Sequence, residues 1–162
     1  MNSMIERIQD SGEKEAIARA VLTALTEWFE IPETREAYIR NSRDLLFLAA
    51  KEDGKPVGFL CLKETGRDTV ELCVMGVLKP YHRRGIGRAL VSAAKETAAQ
   101  NGYSFLQVKT VKKGVYPEYD ATNDFYISCG FKEFEVFPEF WDEANPCQVY
   151  VLSLENLERA GR

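Results

Sequence analysis

Val70-Glu71-Leu72-Cys73-Val74-Met75-Gly76, running on through Val77-Leu78-Lys79-Pro80-Tyr81-His82-Arg83-Arg84-Gly85-Ile86-Gly87-Arg88-Ala89-Leu90, decides the fold of this chain. The first run alternates faces and is rich in apolar and β-branched residues, the pattern of a strand. Gly76 interrupts it, as a bulge or a close backbone approach does. Lys79-Pro80 ends the pairing, because proline donates no hydrogen bond. Beyond the glycines, Ile86, Leu90, Ala94 and Ala98 recur at helical spacing, with Arg88, Ser92, Lys95 and Glu96 off that stripe. Asn101-Gly102 supplies the helix stop. The stretch therefore predicts strand, sharp turn, helix.

The turn suits an anion. The first N–H groups of a helix have no carbonyl partner within it, and they sit at the positive end of its dipole. Gly85 and Gly87 remove side chains that would hold a phosphate away, and Arg83, Arg84 and Arg88 add positive charge. A pyrophosphate is the natural guest. The dinucleotide fingerprint is incomplete, since Leu90 stands where its third glycine belongs. No Gly-Lys-Ser/Thr follows, so the nucleoside-triphosphate loop is excluded too. The alternative is a glycine-rich turn that only packs a helix on a strand.

VLKPYHRRGIGRALV, residues 77–91, resembles the acetyl-coenzyme A binding segment of the GNAT superfamily of N-acetyltransferases, whose pattern is Gln/Arg-x-x-Gly-x-Gly/Ala. Gly85 and Gly87 match it; His82 stands where Gln or Arg is usual. The resemblance implies an α/β (α+β) fold: a mixed, mostly antiparallel, twisted sheet of about seven strands with helices on both faces. It implies acetyl-coenzyme A as cosubstrate and no metal. It places the coenzyme at His82, Arg83, Arg84, Gly85, Ile86, Gly87, Arg88 and Ala89, with Val77 and Lys79 as backbone partners of the pantetheine.

Composition agrees with one compact domain over residues 1–162. A net charge of −4 argues against a nucleic-acid partner. Cys61, Cys73, Cys129 and Cys147 are widely spaced and form no Cys-x-x-Cys pair, and there is a single histidine, which argues against a structural zinc site. Thiols in apolar runs point to a reducing cytoplasm. Neither a signal peptide nor a membrane span is visible.

Along the chain, Met4–Ile8 reads as an edge strand and Ser11 as a helix cap. Glu13–Phe29 carries Ile17, Ala20, Val21, Ala24, Leu25 and Trp28 at helical spacing. Thr34–Asn41 is a second helix. Leu45–Lys51 and Val57–Lys63 are strands joined by a hairpin at Asp53-Gly54. After the central helix, Ser104–Val108 is a strand, and a right-handed crossover makes it parallel to the central one. Thr122–Ser128 is helical, Lys132–Phe137 a strand, Pro138–Asn145 a loop of acids and aromatics, and Cys147–Leu154 the last strand.

Acetyl transfer to an amine needs a base, because the neutral form of a lysine-like amine lies about 4.6 kcal/mol uphill at pH 7. Glu71 is the candidate. It lies eleven positions before His82, where histone-acetylating relatives of the family carry a glutamate base. Its other reading is a surface glutamate, or one paired with a neighbouring arginine. DFYISCGF, residues 124–131, resembles the family's Phe/Leu-Tyr-x-x-x-Gly-Phe segment, whose tyrosine points at the coenzyme sulfur. Tyr126 is thus the candidate general acid. The family's upstream asparagine has no direct match: Tyr119 stands there, and Asn123 is the shifted candidate for the coenzyme. A Cys73 acyl-intermediate is conceivable, but direct attack through a ternary complex is the family's usual course. For the acceptor, Trp28 and Phe29 with Glu30 and Glu33 form one region, and Phe137–Asn145 with Trp141 the other; Glu71 lies with the acceptor in either case.

YDATNDFYISCGF and FWDEANPC also resemble a bacterial subgroup of acetyltransferases whose acceptors are mostly unassigned. The resemblance implies N-acetylation of a primary amine, on a small molecule or a peptide. The competing reading is a non-catalytic acyl-coenzyme A binding or sensor module. Many relatives pair, so a homodimer is a further expectation.

Overall fold

The computed structural model describes residues 3–155. Seven strands, β1 (Ser3–Ile8), β2 (Leu46–Glu52), β3 (Lys55–Glu64), β4 (Thr69–Val77), β5 (Phe105–Val111), β6 (Lys132–Asp142) and β7 (Asn145–Ser153), form one sheet in the order β1-β2-β3-β4-β5-β7-β6. Four helices accompany them: α1 (Ser11–Thr23), α2 (Pro32–Asn41), α3 (Ile86–Gln100) and α4 (Pro117–Ser128). This is the mixed, mostly antiparallel architecture expected. Among the described residues, no helix is long and apolar enough to cross a membrane.

The chain groups into two compact units, Met1–Lys63 with Leu72–Ala94, and Glu64–Glu71 with Lys95–Arg162. In the first, β1, β2 and β3 form an antiparallel meander, and the β2–β3 hairpin turns at Asp53 and Gly54, both at positive φ. The cap of α1 is Asp10, not Ser11: the Asp10 side chain accepts from the Glu13 N–H at 2.8 Å. α1 buries Ile17, Ala18, Val21 and Leu22 in a core that includes the stacked rings of Phe47 and Phe59, 5.0 Å apart. Burial of such side chains stabilises by about 1.5–3 kcal/mol each.

α1 stops at Thr23, short of the expected Phe29. The Thr23 hydroxyl turns back to the Arg19 carbonyl at 2.6 Å, a bond that weakens a helix. Leu25 stays buried, while Trp28 and Phe29 lie in turns closed on the Leu25 carbonyl.

Gly76 is a close approach. A Cβ there would lie 2.9 Å from both Leu25 Cδ1 and Val21 Cγ1. On β3, a Cβ at Gly58 would meet the Gly76 carbonyl at 3.0 Å. Two glycines thus let α1, β3 and β4 close on one another.

In the second unit, β7 lies between β5 and β6, antiparallel to both. α4 buries its own Asn123 and Tyr126, and the Tyr126 ring sits 5.7 Å from Phe131 and 6.4 Å from Tyr150. The expected loop at Pro138–Asn145 is mostly strand: β6 runs on to Asp142, and Glu143-Ala144 make the turn into β7. Pro138 is tolerated because β6 is an edge, where a missing N–H can face outward at no cost to the ladder.

Gly76→Ala forces overpacking between α1 and β4. It should destabilise the protein by about 1–3 kcal/mol, read as a lower denaturant midpoint at unchanged slope.

Candidate active site

In the first unit, β4 passes through a 3-10 turn, Lys79–Tyr81, before α3. Leu78 N–H donates to the Val57 carbonyl at 2.9 Å, so the chain is still tied to β3 there. The His82 ring Nε2 then lies 2.5 Å from the Val77 carbonyl and holds the turn shut. Trp28 packs edge-on against His82 at 6.0 Å. Two residues expected at the coenzyme, Val77 and His82, are therefore bonded to each other. Lys79 is ion-paired with Glu27.

The backbone next enters the left-handed region twice, at Arg83 with φ 62° and at Gly85 with φ 79°. A left-handed conformation costs a non-glycine residue about 1–2 kcal/mol, so Arg83 carries local strain. A Cβ at Gly85 would meet nothing within 4 Å: the glycine is needed for its φ, and the space before it is open. The first α3 hydrogen bond between residues four apart is donated by Ala89 to the Gly85 carbonyl at 3.0 Å. The amides of Ile86 and Gly87 thus precede the helical ladder, and they lie at the positive end of its dipole.

Arg84 is paired with Glu52 at 3.1 Å, and its guanidinium lies over the Tyr81 ring at 5.1 Å. These contacts brace the turn. Arg83 and Arg88 are exposed.

In the second unit, Glu71 is 14% exposed, and its Oε1 accepts from Lys109 Nζ at 2.5 Å and from Gln107 Nε2 at 3.3 Å. Lys109 also sits over the Phe140 ring, 5.3 Å from its centre. The partner is a lysine on β5 rather than the arginine considered from the sequence. Lys109 and Gln107 were missed by sequence reasoning. Their signal was present: two polar residues at two-residue spacing inside an apolar strand lie on one face. Cys147 is buried near this pair, and burial pushes its thiol up.

Tyr126 is 8% exposed, and burial pushes its phenol well above the ordinary tyrosine value. It stays protonated at neutral pH. Asn123, expected to meet the coenzyme, is bonded within the fold. It is fully buried, its amide nitrogen donates to the Val111 and Tyr119 carbonyls at 2.8 and 2.6 Å, and its Oδ1 accepts from the Tyr150 hydroxyl at 2.6 Å. That use of its hydrogen-bonding groups ties α4 to β5 and β7. Cys73 is half-buried, with its Sγ 3.6 Å from the Cys61 carbonyl. Trp28 and Phe29 are half-buried, while Trp141 near the end of β6 is 44% exposed.

The acetyltransferase (GNAT) family profile matches residues 14–131. The chain belongs to that family. The match takes in parts of both units, from α1 to Phe131, and so includes the glycine turn, Glu71 and Tyr126. No curated protein sequence matches the chain. Among solved structures, the fold is shared with a GNAT-family protein from Desulfovibrio desulfuricans at TM-score 0.84 and 20% identity, covering 94% of this chain and 99% of that one. It is shared with the ribosomal-protein-S18-alanine N-acetyltransferase from Escherichia coli at TM-score 0.75 and 18% identity, over 94% of each chain. YncA from Salmonella typhimurium, solved with its cofactor acetyl-CoA, matches at TM-score 0.70 and 17% identity, over 94% of each chain.

The buried phenol gives a pH test. In the unfolded chain Tyr126 loses its proton near pH 10, whereas the folded state holds it to higher pH. Below that pH both states are protonated and stability is intact; above it, stability falls as pH rises toward the folded value. Between about pH 9 and 11 the melting temperature of the wild type should fall more steeply than that of Tyr126→Phe.

Proposed function

We propose that this GNAT protein transfers the acetyl group of acetyl-CoA to a primary amine, on a small molecule or a peptide, by direct attack in a ternary complex, as a single cytoplasmic domain. The observation that carries the reading is the open, left-handed Gly85 turn ahead of α3. A diphosphate needs backbone amides at close range and no Cβ in the way, and this junction meets both needs. The amides of residues 85–88, the side chains of Arg83, Arg84 and Arg88, and the backbone of Val77 and Lys79 would hold the coenzyme, with Ala89 against it and Asn123 a further candidate. His82 acts through the turn it closes. Acetyl-CoA supplies the activated acyl group as a thioester.

The chain's own residues handle the protons. With Glu71 Oε1 held by Lys109 and Gln107, Oε2 is the oxygen that receives the proton of the acceptor ammonium. Tyr126 keeps its proton on the phenol oxygen until a thiolate needs it, and burial secures that state. Trp28, Phe29 and Trp141 are the aromatic surfaces proposed for the acceptor.

Release of free thiol from acetyl-CoA across a panel of primary amines tests the transfer. Tyr126→Phe should lower kcat by about a hundredfold while coenzyme A affinity stays within about twofold. Turnover at the wild-type rate would remove Tyr126 as the acid. Gly85→Val should weaken coenzyme A binding at least about tenfold by calorimetry, because it strains the turn and fills the open space. Coenzyme binding with no turnover on any amine would favour a sensor module instead.

A further inference from the structure

We propose that the outer edge of β6 is a docking strip for an extended, lysine- or arginine-rich segment of a protein partner. β6 ends the sheet, so among the described residues its one strand neighbour is β7. Every residue of the strand but Val136 is exposed. That includes Phe134 at 64%, Phe137 at 36%, Phe140 at 57% and Trp141 at 44%. Large rings left in water along an edge strand mark a place for another chain. Carboxylates stand between them: Glu133, Glu135, Glu139 and Asp142, with Glu143 in the turn, against Lys132 alone.

Charge selects the occupant. A second copy laid on this strip would set carboxylate against carboxylate. The register with β7 also shifts between Glu133 and Glu135 and again between Phe137 and Asp142, and Pro138 has no N–H to give. Both features work against a sheet continued into a second copy. A cationic segment removes the charge obstacle and needs no continuous backbone ladder, because its side chains answer the carboxylates and lie on the ring faces. The fold already carries one such contact in the Lys109 ammonium over Phe140. The strip reaches Trp141, already proposed for the acceptor, but Glu133, Phe134 and Glu135 lie outside that region, and binding is read there with no acetyl donor present.

The probe is a fluorescein-labelled peptide of alternating lysine and serine, about ten residues long to match the strand. Its anisotropy is followed with the full chain and no coenzyme, against the same peptide carrying glutamate for lysine. The lysine peptide should bind and the glutamate peptide should not. Phe134→Ser with Phe140→Ser should weaken binding at least about fivefold. Should that variant melt early, Glu133→Gln with Glu135→Gln, at exposed positions, should weaken it similarly while melting as the wild type does. No binding of the lysine peptide overturns the proposal. So does binding that survives the aromatic pair of substitutions in a folded protein, which would be charge attraction alone. So does a concentration-dependent dimer that the same substitutions abolish, which would make the strip a contact between copies.

Discussion

The structure depends on one backbone constraint, the passage from β4 into α3. The chain must leave a strand, reverse, and start a helix within a few residues. It does so by entering the left-handed region at Arg83 and Gly85. Only glycine does this freely, and Arg83 does it at a cost. The cost is borne because neighbouring contacts over-determine the turn: His82 on the Val77 carbonyl, Arg84 on Glu52, Lys79 on Glu27. A strained turn braced this way keeps the Ile86 and Gly87 amides ahead of the helical ladder, where the proposed diphosphate would meet them.

The second unit is organised by polar groups inside an apolar frame. Glu71 with Lys109 and Gln107 on adjacent strands, and Asn123 with Tyr150, are local networks in which the named donors meet acceptors. A buried polar group without a partner costs more than the bond it would make, so such networks fix side-chain positions. The Glu71 network holds one carboxylate oxygen of the proposed base. The Asn123 network holds the helix that carries Tyr126 in register with β5 and β7.

Much of this was legible in local sequence. The alternation of Val70–Met75, Gly76 as a close approach, the Asp53-Gly54 hairpin and the Ile86–Ala98 stripe each reflect a backbone preference that acts within a few residues. The misreadings share a different cause. Helical spacing continued past Thr23, but a hydroxyl bonded back to Arg19 ended α1. Pro138 looked like the end of a strand, yet on an edge its missing N–H costs nothing.

By itself the sequence determined the strand–turn–helix unit and the open start of its helix, because left-handed backbone and helix-start amides are properties of adjacent residues. Tertiary structure alone decided what the polar side chains do. Glu71 and Lys109 are 38 positions apart, and Tyr150 and Asn123 are 27 apart. Whether such residues meet depends on strand order and register, which arise from packing the whole sheet and are written in no single segment.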